Sequence, residues 1–238
     1  MIGDDLRDVL GARIPGDHAR QTLAEHMAVR ALAGREAPCV LDVGCGSGRS
    51  VEIFRSNAPD SRWVGVDIED SPEVRTRTRG DAEFHTFDGV NLPFEDASFD
   101  VVYCAQVLEH VRSPAPLLAE VARVLRPGGA LAGSTSQLEP FHSRSTWNYS
   151  PHGLALLLDE AGLGEVELRP SIDALTLIVR RGMGGPAFFN RWWDAESPLN
   201  RAIGLYGRLR GMDPAGQNAA KLIFCGQFSF LARRPGRS

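Results

Sequence analysis

The feature that most constrains this chain is a short stretch, Asp42-Val43-Gly44-Cys45-Gly46-Ser47-Gly48, entered from the apolar run Val40-Leu41 and continued by the helical pattern of residues 47–57. Glycines at alternate positions let a backbone turn sharply and approach a ligand, and a helix opening just beyond them presents unpaired N–H groups. A strand, a glycine turn and a helix in that order form a nucleotide-binding arrangement.

The spacing narrows the ligand. The dinucleotide fingerprint is G-x-G-x-x-G, but here the third glycine falls one residue early and Arg49 stands where that fingerprint ends. Asp42 places a carboxylate two residues before the first glycine, where it repels a pyrophosphate and attracts a cation. A sulfonium amino acid suits the loop better than NAD does.

Around the loop, apolar runs alternate with helical patterns, the order expected of a parallel sheet covered on both faces. Strands are predicted at residues 40–43, 63–67, 83–87, 99–104 and 130–135, with another starting at Val166 and a last one over 222–231. Helices are predicted at residues 17–34, with Leu23, Met27 and Ala31 on one face, and after each of Ser113-Pro114, Ser150-Pro151 and Ser197-Pro198. The expected fold is α/β: a three-layer Rossmann-like sheet of seven mostly parallel strands, the last antiparallel, with helices on both faces. One domain is expected over residues 1–238, divided into an N-terminal helical segment (1–36), a cofactor-binding core (37–170), an insertion or cap (171–220) and the last strand (221–234).

No apolar run approaches the roughly 20 residues of a membrane span, and the N-terminus has no basic segment leading into an apolar stretch, so a cytoplasmic protein is expected. The four cysteines, Cys39, Cys45, Cys104 and Cys225, are scattered and form no C-x-x-C pair, so neither a disulfide framework nor a metal site is expected. Net charge is −4, which argues against a nucleic-acid partner. Its distribution is uneven: from Arg180 onward ten Lys/Arg face three acids, leaving +7 there and −11 on the remainder.

Further candidate ligand residues follow the strands. Asp67 ends the second strand, where a carboxylate can accept both hydroxyls of a ribose, and Ile68 beside it can lie against a base. Asp88-Gly89 follows the third strand and Cys104 ends the fourth. All lie at the carboxyl edge of the sheet, where open α/β sheets bind ligands. Within this pattern Val40-Leu41-Asp42-Val43-Gly44-Cys45-Gly46-Ser47-Gly48 resembles motif I of the class I S-adenosylmethionine-dependent methyltransferases. Val64-Gly65-Val66-Asp67 is similar to their ribose-binding strand end, and residues 87–94 with Ser98-Phe99-Asp100-Val101-Val102 to their adenine loop and fourth strand. Gln106-Val107-Leu108-Glu109-His110-Val111 and Leu125-Arg126-Pro127-Gly128-Gly129 resemble the segments that follow. The resemblance runs over roughly residues 38–136 and is nearest to the broad ubiquinone-type and small-molecule group. It implies S-adenosylmethionine as cofactor, held by Asp42, Gly44, Cys45, Gly46, Asp67, Ile68, Asp88, Gly89 and Cys104, and a small-molecule acceptor.

Each reading has a plainer rival. Asp42 and Asp67 could simply end strands, Asp88 before glycine is an ordinary turn, and Cys45 suits packing better than nucleophilic attack. Glu109 and His110 read as structural. His142, in Glu139-Pro140-Phe141-His142, is the candidate general base, weighed equally against a surface histidine. Trp147 and Tyr149 are candidate substrate-lining residues, or packing for their loop. The aromatic run Phe188-Phe189-Asn190-Arg191-Trp192-Trp193 reads first as a small satellite core, and second as a basic cap that grips an anionic substrate or rests on a membrane. The preferred acceptor is a hydroxyl of a sugar or secondary metabolite, with N- or C-methylation next. An NAD-dependent oxidoreductase and a non-catalytic cofactor-binding regulator are the alternatives from other classes.

Overall fold

The computed structural model describes residues 1–236; Arg237, counted above in the basic tail, lies outside them. The chain begins with α1 (Asp4–Leu10) and a 3-10 turn (Gly11–Arg13), then α2 (Ala24–Leu32), β1 (Cys39–Val43), α3 (Val51–Asn57), β2 (Arg62–Ile68) and the short α4 (Pro72–Arg75). It continues with β3 (Glu83–Phe87), β4 (Phe99–Ala105), a 3-10 turn (Leu108–His110), α5 (Pro114–Val124), β5 (Leu125–Ser136), α6 (Pro151–Glu160) and β6 (Gly164–Pro170). After β6 come α7 (Ala174–Gly182), a 3-10 turn (Ala187–Asn190), α8 (Arg191–Asp194), α9 (Pro198–Leu209), α10 (Pro214–Phe224) and β7 (Gln227–Arg233).

The strands form one seven-stranded sheet in the order β3-β2-β1-β4-β5-β7-β6. Strands β1 to β5 pair in parallel. Only β7 runs against its neighbours β5 and β6. Successive side chains of a strand point to opposite faces, so each buried strand feeds two cores. Leu41, Val43, Val102 and Leu131 meet α5 and α6 through Leu117, Leu118, Leu154 and Leu158. Val40, Val101, Ala130 and Trp63 meet α2 and α3 through Met27, Ala31 and Phe54. Phe54 and Met27 are completely buried, and truncating such a side chain typically costs about 2–5 kcal/mol.

Three sequence expectations need correction. Residues 17–34 are not one helix, because only Ala24–Leu32 is helical. The preceding segment is held extended by long-range contacts: the fully buried Arg169 grips Asp17 at 2.8 and 2.9 Å, Asn218 donates to the carbonyls of Pro15 and His18, and Ser171 and Ser229 donate to that of Thr22. The helix predicted from Ser47 begins only at Val51, the residues before it being spent on the glycine turn. The last strand starts at Gln227, since Leu222-Ile223-Phe224 complete α10. That helix is launched by Asp213, which accepts from the Gly216 N–H at 2.8 Å, with Pro214 in its first turn. The span 171–220, expected as an insertion or cap, is a run of helices between β6 and β7.

Candidate active site

Two groups of residues meet at the carboxyl edge of the sheet. The first is the glycine turn. Gly44, Gly46 and Gly48 have φ values of 70°, 51° and 80°, a region side chains rarely tolerate. A Cβ on Gly44 would stand 2.4 Å from a methyl of Val107, so space as well as φ demands glycine there. Asp67, at the end of β2, closes the turn from the side: its carboxylate accepts from the N–H groups of Gly46 and Ile68, both at 2.7 Å. Burial raises its pKa. From above, Arg77 donates to the Gly46 carbonyl at 2.8 Å while its guanidinium stacks 3.9 Å over Phe84.

Asp42 sits on the opposite side of the turn from solvent. Its carboxylate accepts from the Ser50 hydroxyl, which in turn accepts from the Trp63 indole at 3.0 Å. Burial pushes the Asp42 carboxyl up to about 7. Cys45 packs on Gly65 of β2, and burial raises its thiol to about 12, so the packing reading holds for it. Cys104 is fully buried between the sheet and its helices, its thiol also raised by burial. Ile68 is 41% exposed and lies beside Gly89, giving an apolar seat at the end of β2. Asp88 is exposed and serves its own turn, accepting from the N–H groups of Val90 and Asn91 and from the Asn91 amide. Those bonds hold its pKa low.

The second group gathers where β4 and β5 end. Glu109 is wholly buried, accepting from Thr135 at 2.9 Å and Ser136 at 3.3 Å. The Ser136 hydroxyl also lies 2.7 Å from Glu139, which accepts from Gln227 at 2.8 Å. His142 Nδ1 is 3.3 Å from the Pro140 carbonyl and 3.8 Å from Glu139. The rings of His110 and His142 meet edge to face at 5.3 Å, and His110 Nδ1 is buried without a hydrogen-bond partner. Burial pushes Glu109 up to about 7 and, with His142 nearby, holds His110 below its ordinary value. Glu109, His110 and His142 each offer an atom within 4.8 Å of the others, a span that could hold a proton relay or a divalent ion.

Glu109 and Glu139 were not among the sequence's candidate site residues. Their signal was present as two i, i+3 and i, i+1 pairings of acid with histidine, Glu139…His142 and Glu109-His110. Trp147 is half exposed, donates to the Val111 carbonyl at 3.0 Å and borders a recess of about 170 Å³ with Phe141, Ser145, Thr146 and Asn148. Tyr149 is different. It is buried, and its hydroxyl donates to the Leu108 carbonyl at 3.0 Å, so it packs the loop and does not line the recess. A larger recess, about 530 Å³, opens on the outer side of the glycine turn, where Arg79 is neutralised by Glu52 and Asp81. It contains none of the groups with strongly shifted ionisation.

A parallel sheet with one reversed edge-side strand and a glycine turn after β1 defines a nucleotide-type cofactor-binding protein. Comparison with known proteins narrows the class: residues 41–133 match the family described as "Methyltransferase domain". That segment thus carries a methyltransferase domain, and the chain is similar over it to the S-adenosylmethionine-dependent methyltransferases. It is 34% identical over 146 residues to the O-methyltransferase cnsE of Penicillium expansum, covering 54% of this chain and 52% of that one. It is 37% identical over 100 residues to the 27-O-demethylrifamycin SV methyltransferase of Amycolatopsis mediterranei, covering 39% and 36%. The chain thus spans about half or less of these relatives' lengths. The structure of Haemonchus contortus phosphoethanolamine N-methyltransferase 2 in complex with S-adenosyl-L-methionine shares the fold, with a TM-score of 0.58, 17% identity and coverage of 97% of this chain and 56% of that one. S-Adenosylmethionine is the cofactor of this family.

The residues present fit that cofactor. The left-handed glycines keep the turn free of side chains, Asp67 offers carboxylate oxygens at the end of β2, and Ile68 leaves an exposed apolar surface beside Gly89.

Proposed function

We propose that this chain transfers a methyl group from S-adenosylmethionine to a hydroxyl of a small-molecule acceptor, a sugar or secondary metabolite, with His142 as general base. The observation that carries this reading is the convergence of Glu109, His110, Glu139 and His142 where β4 and β5 end, beside the glycine turn. The O-methyltransferase names of two relatives support it.

When bound, the cofactor supplies an electrophilic methyl on a sulfonium. Gly44 and Gly46 would face its amino-acid part, Asp67 its ribose, and Ile68 with Gly89 its adenine. For Asp67 to do so, its carboxylate would exchange some of its bonding to the turn for ribose hydroxyls. Asp42 contributes through Ser50, by fixing the start of α3 under the turn. Methyl transfer requires the acceptor oxygen, methyl and sulfur in line, and most of the protein's task is alignment. A sugar hydroxyl is a weak nucleophile, so removal of its proton during attack helps. Nδ1 of His142 faces the Pro140 carbonyl and Glu139, which places the donor tautomer there and leaves Nε2 to accept the proton. Glu139 stabilises the imidazolium that results.

A screen with methyl-labelled cofactor against sugars, phenols, quinones and amines tests the proposal. Label on a hydroxyl acceptor is expected. Label confined to amines would refute the oxygen assignment, and tight cofactor binding without transfer to any acceptor would favour a regulator.

A further inference from the structure

Two of the helices between β6 and β7, α7 and α9, carry apolar residues on their outer faces as well as their inner ones. On α7, Ala174 and Leu177 face inward, and a Cβ on Gly226 would come 2.5 Å from Leu177, so that face is packed against the start of β7. The other face repeats at helical spacing: Leu175, Ile178, Val179 and Met183 are 42–57% exposed. On α9, Ile203, Gly204 and Gly207 face inward while Leu205 and Leu209 stand 53% and 78% exposed. Helices α7 and α9 touch one another. Scattered exposed leucines are ordinary, but helical stripes of them on two adjoining elements mark a binding surface.

Charge decides what binds. Residues 174–210 contain six arginines against two acids, Asp194 and Glu196, and Glu196 is paired with the buried Lys221. Arg181, Arg201, Arg208 and Arg210 are exposed. Two copies meeting through this face would set arginines against arginines, because a two-fold contact pairs a patch with itself. An apolar stripe flanked by arginines instead matches an anionic lipid surface, which accepts the side chains among its acyl chains and the guanidiniums among its headgroups. Among the described residues no helix is long and apolar enough to cross a membrane, so contact would be peripheral.

We infer that the exposed face of α7 and α9 seats the protein on an anionic membrane. Helix α7 starts near the carboxyl ends of β5 and β6: it begins four residues after β6 ends, and Cys225, preceding β7, accepts from the Leu138 N–H beyond β5. Membrane contact would thus fall on helices that start near that end of the sheet. This goes beyond the methyl-transfer reading and does not depend on it.

Sedimentation of the full chain with vesicles, without cofactor or acceptor, tests the inference. Vesicles containing phosphatidylglycerol are expected to capture the protein, and pure phosphatidylcholine vesicles to capture much less. Each of Arg201→Gln, Arg208→Gln and Arg210→Gln is expected to weaken binding by about fivefold. Ile178→Glu with Leu209→Glu should abolish it with an unchanged circular dichroism spectrum, since both side chains are exposed. Failure to bind phosphatidylglycerol vesicles at low salt would overturn the inference. So would a stable dimer by light scattering that those two glutamates dissociate while vesicle binding persists.

Discussion

The glycine turn and the Glu109–His142 cluster lie at the same sheet edge but are built in opposite ways. The turn is backbone: its glycine N–H and carbonyl groups are bonded by Asp67 and Arg77, side chains that reach it from β2 and from the segment after α4. The cluster is side chain: carboxylates, hydroxyls and imidazoles drawn from the ends of β4 and β5, from the loop between, and from Gln227 of β7. A backbone site answers first to added volume, and a site of buried ionisable side chains first to pH.

The largest effect should come from the cluster. His142→Ala is expected to lower kcat by about 10²–10⁴, the usual worth of a general base, while leaving S-adenosylhomocysteine affinity unchanged by calorimetry. Unaltered turnover would remove His142 from the chemistry. On the turn, Gly44→Ala combines a disfavoured φ with the Val107 clash and should weaken S-adenosylhomocysteine binding on the order of 100-fold, at about 1–3 kcal/mol for the strain alone. If affinity survives, the cofactor does not depend on that close approach.

Stability against pH reaches both regions, through Asp42 beneath the turn and Glu109 in the cluster. Asp42 and Glu109 have carboxyls raised by burial to about 7 from ordinary values of 3.8 and 4.5. Their neutral forms are favoured by the fold. The stability they contribute is therefore complete below the ordinary carboxylate range and is lost as pH rises to about 7, at up to about 1.4 kcal/mol per pH unit for each group. Thermal unfolding followed across that interval should show a falling Tm, and Asp42→Asn should flatten the slope. An unchanged slope would mean that Asp42 is ionised in the fold. The smallest effect is expected at Tyr149→Phe, which loses one hydrogen bond to Leu108 worth about 1 kcal/mol and leaves KM for the acceptor unaltered. A raised KM would return Tyr149 to the recess wall.

The same contrast governs how much the sequence could disclose. Strands β1 to β5, the glycine turn and Asp67 were legible because each depends on neighbours within a few residues: an apolar run, a positive φ, a strand end. The same alternation pointed to a seven-stranded, mostly parallel sheet, although alternation alone does not reverse the last strand. What was not legible depends on distant partners. The extended course of residues 17–23 comes from Arg169 and Asn218, and the burial of Asp42 under α3 from Ser50 and Trp63. Leu222-Ile223-Phe224 read as strand by composition, yet the cap at Asp213 commits them to a helix. Glu109 and Glu139 are joined only through Ser136, a residue that neither of them neighbours in the strand pattern.

The grip of Arg169 on Asp17 has a further consequence. Arg169 is buried in β6, and Lys221 is buried in α10 with the Ala19 carbonyl as one of its partners. Residues 17–22 thus give Arg169 a second carboxylate, Asp17 beside Glu167, and give Lys221 a carbonyl beside its counter-ion Glu196. A shortened protein beginning at residue 37, the edge of the expected cofactor-binding core, would leave Arg169 with Glu167 alone and Lys221 with Glu196 alone, and would uncover both buried side chains. Proteolytic nicking near residue 20 should therefore loosen β6 and α10 before it disturbs the glycine turn.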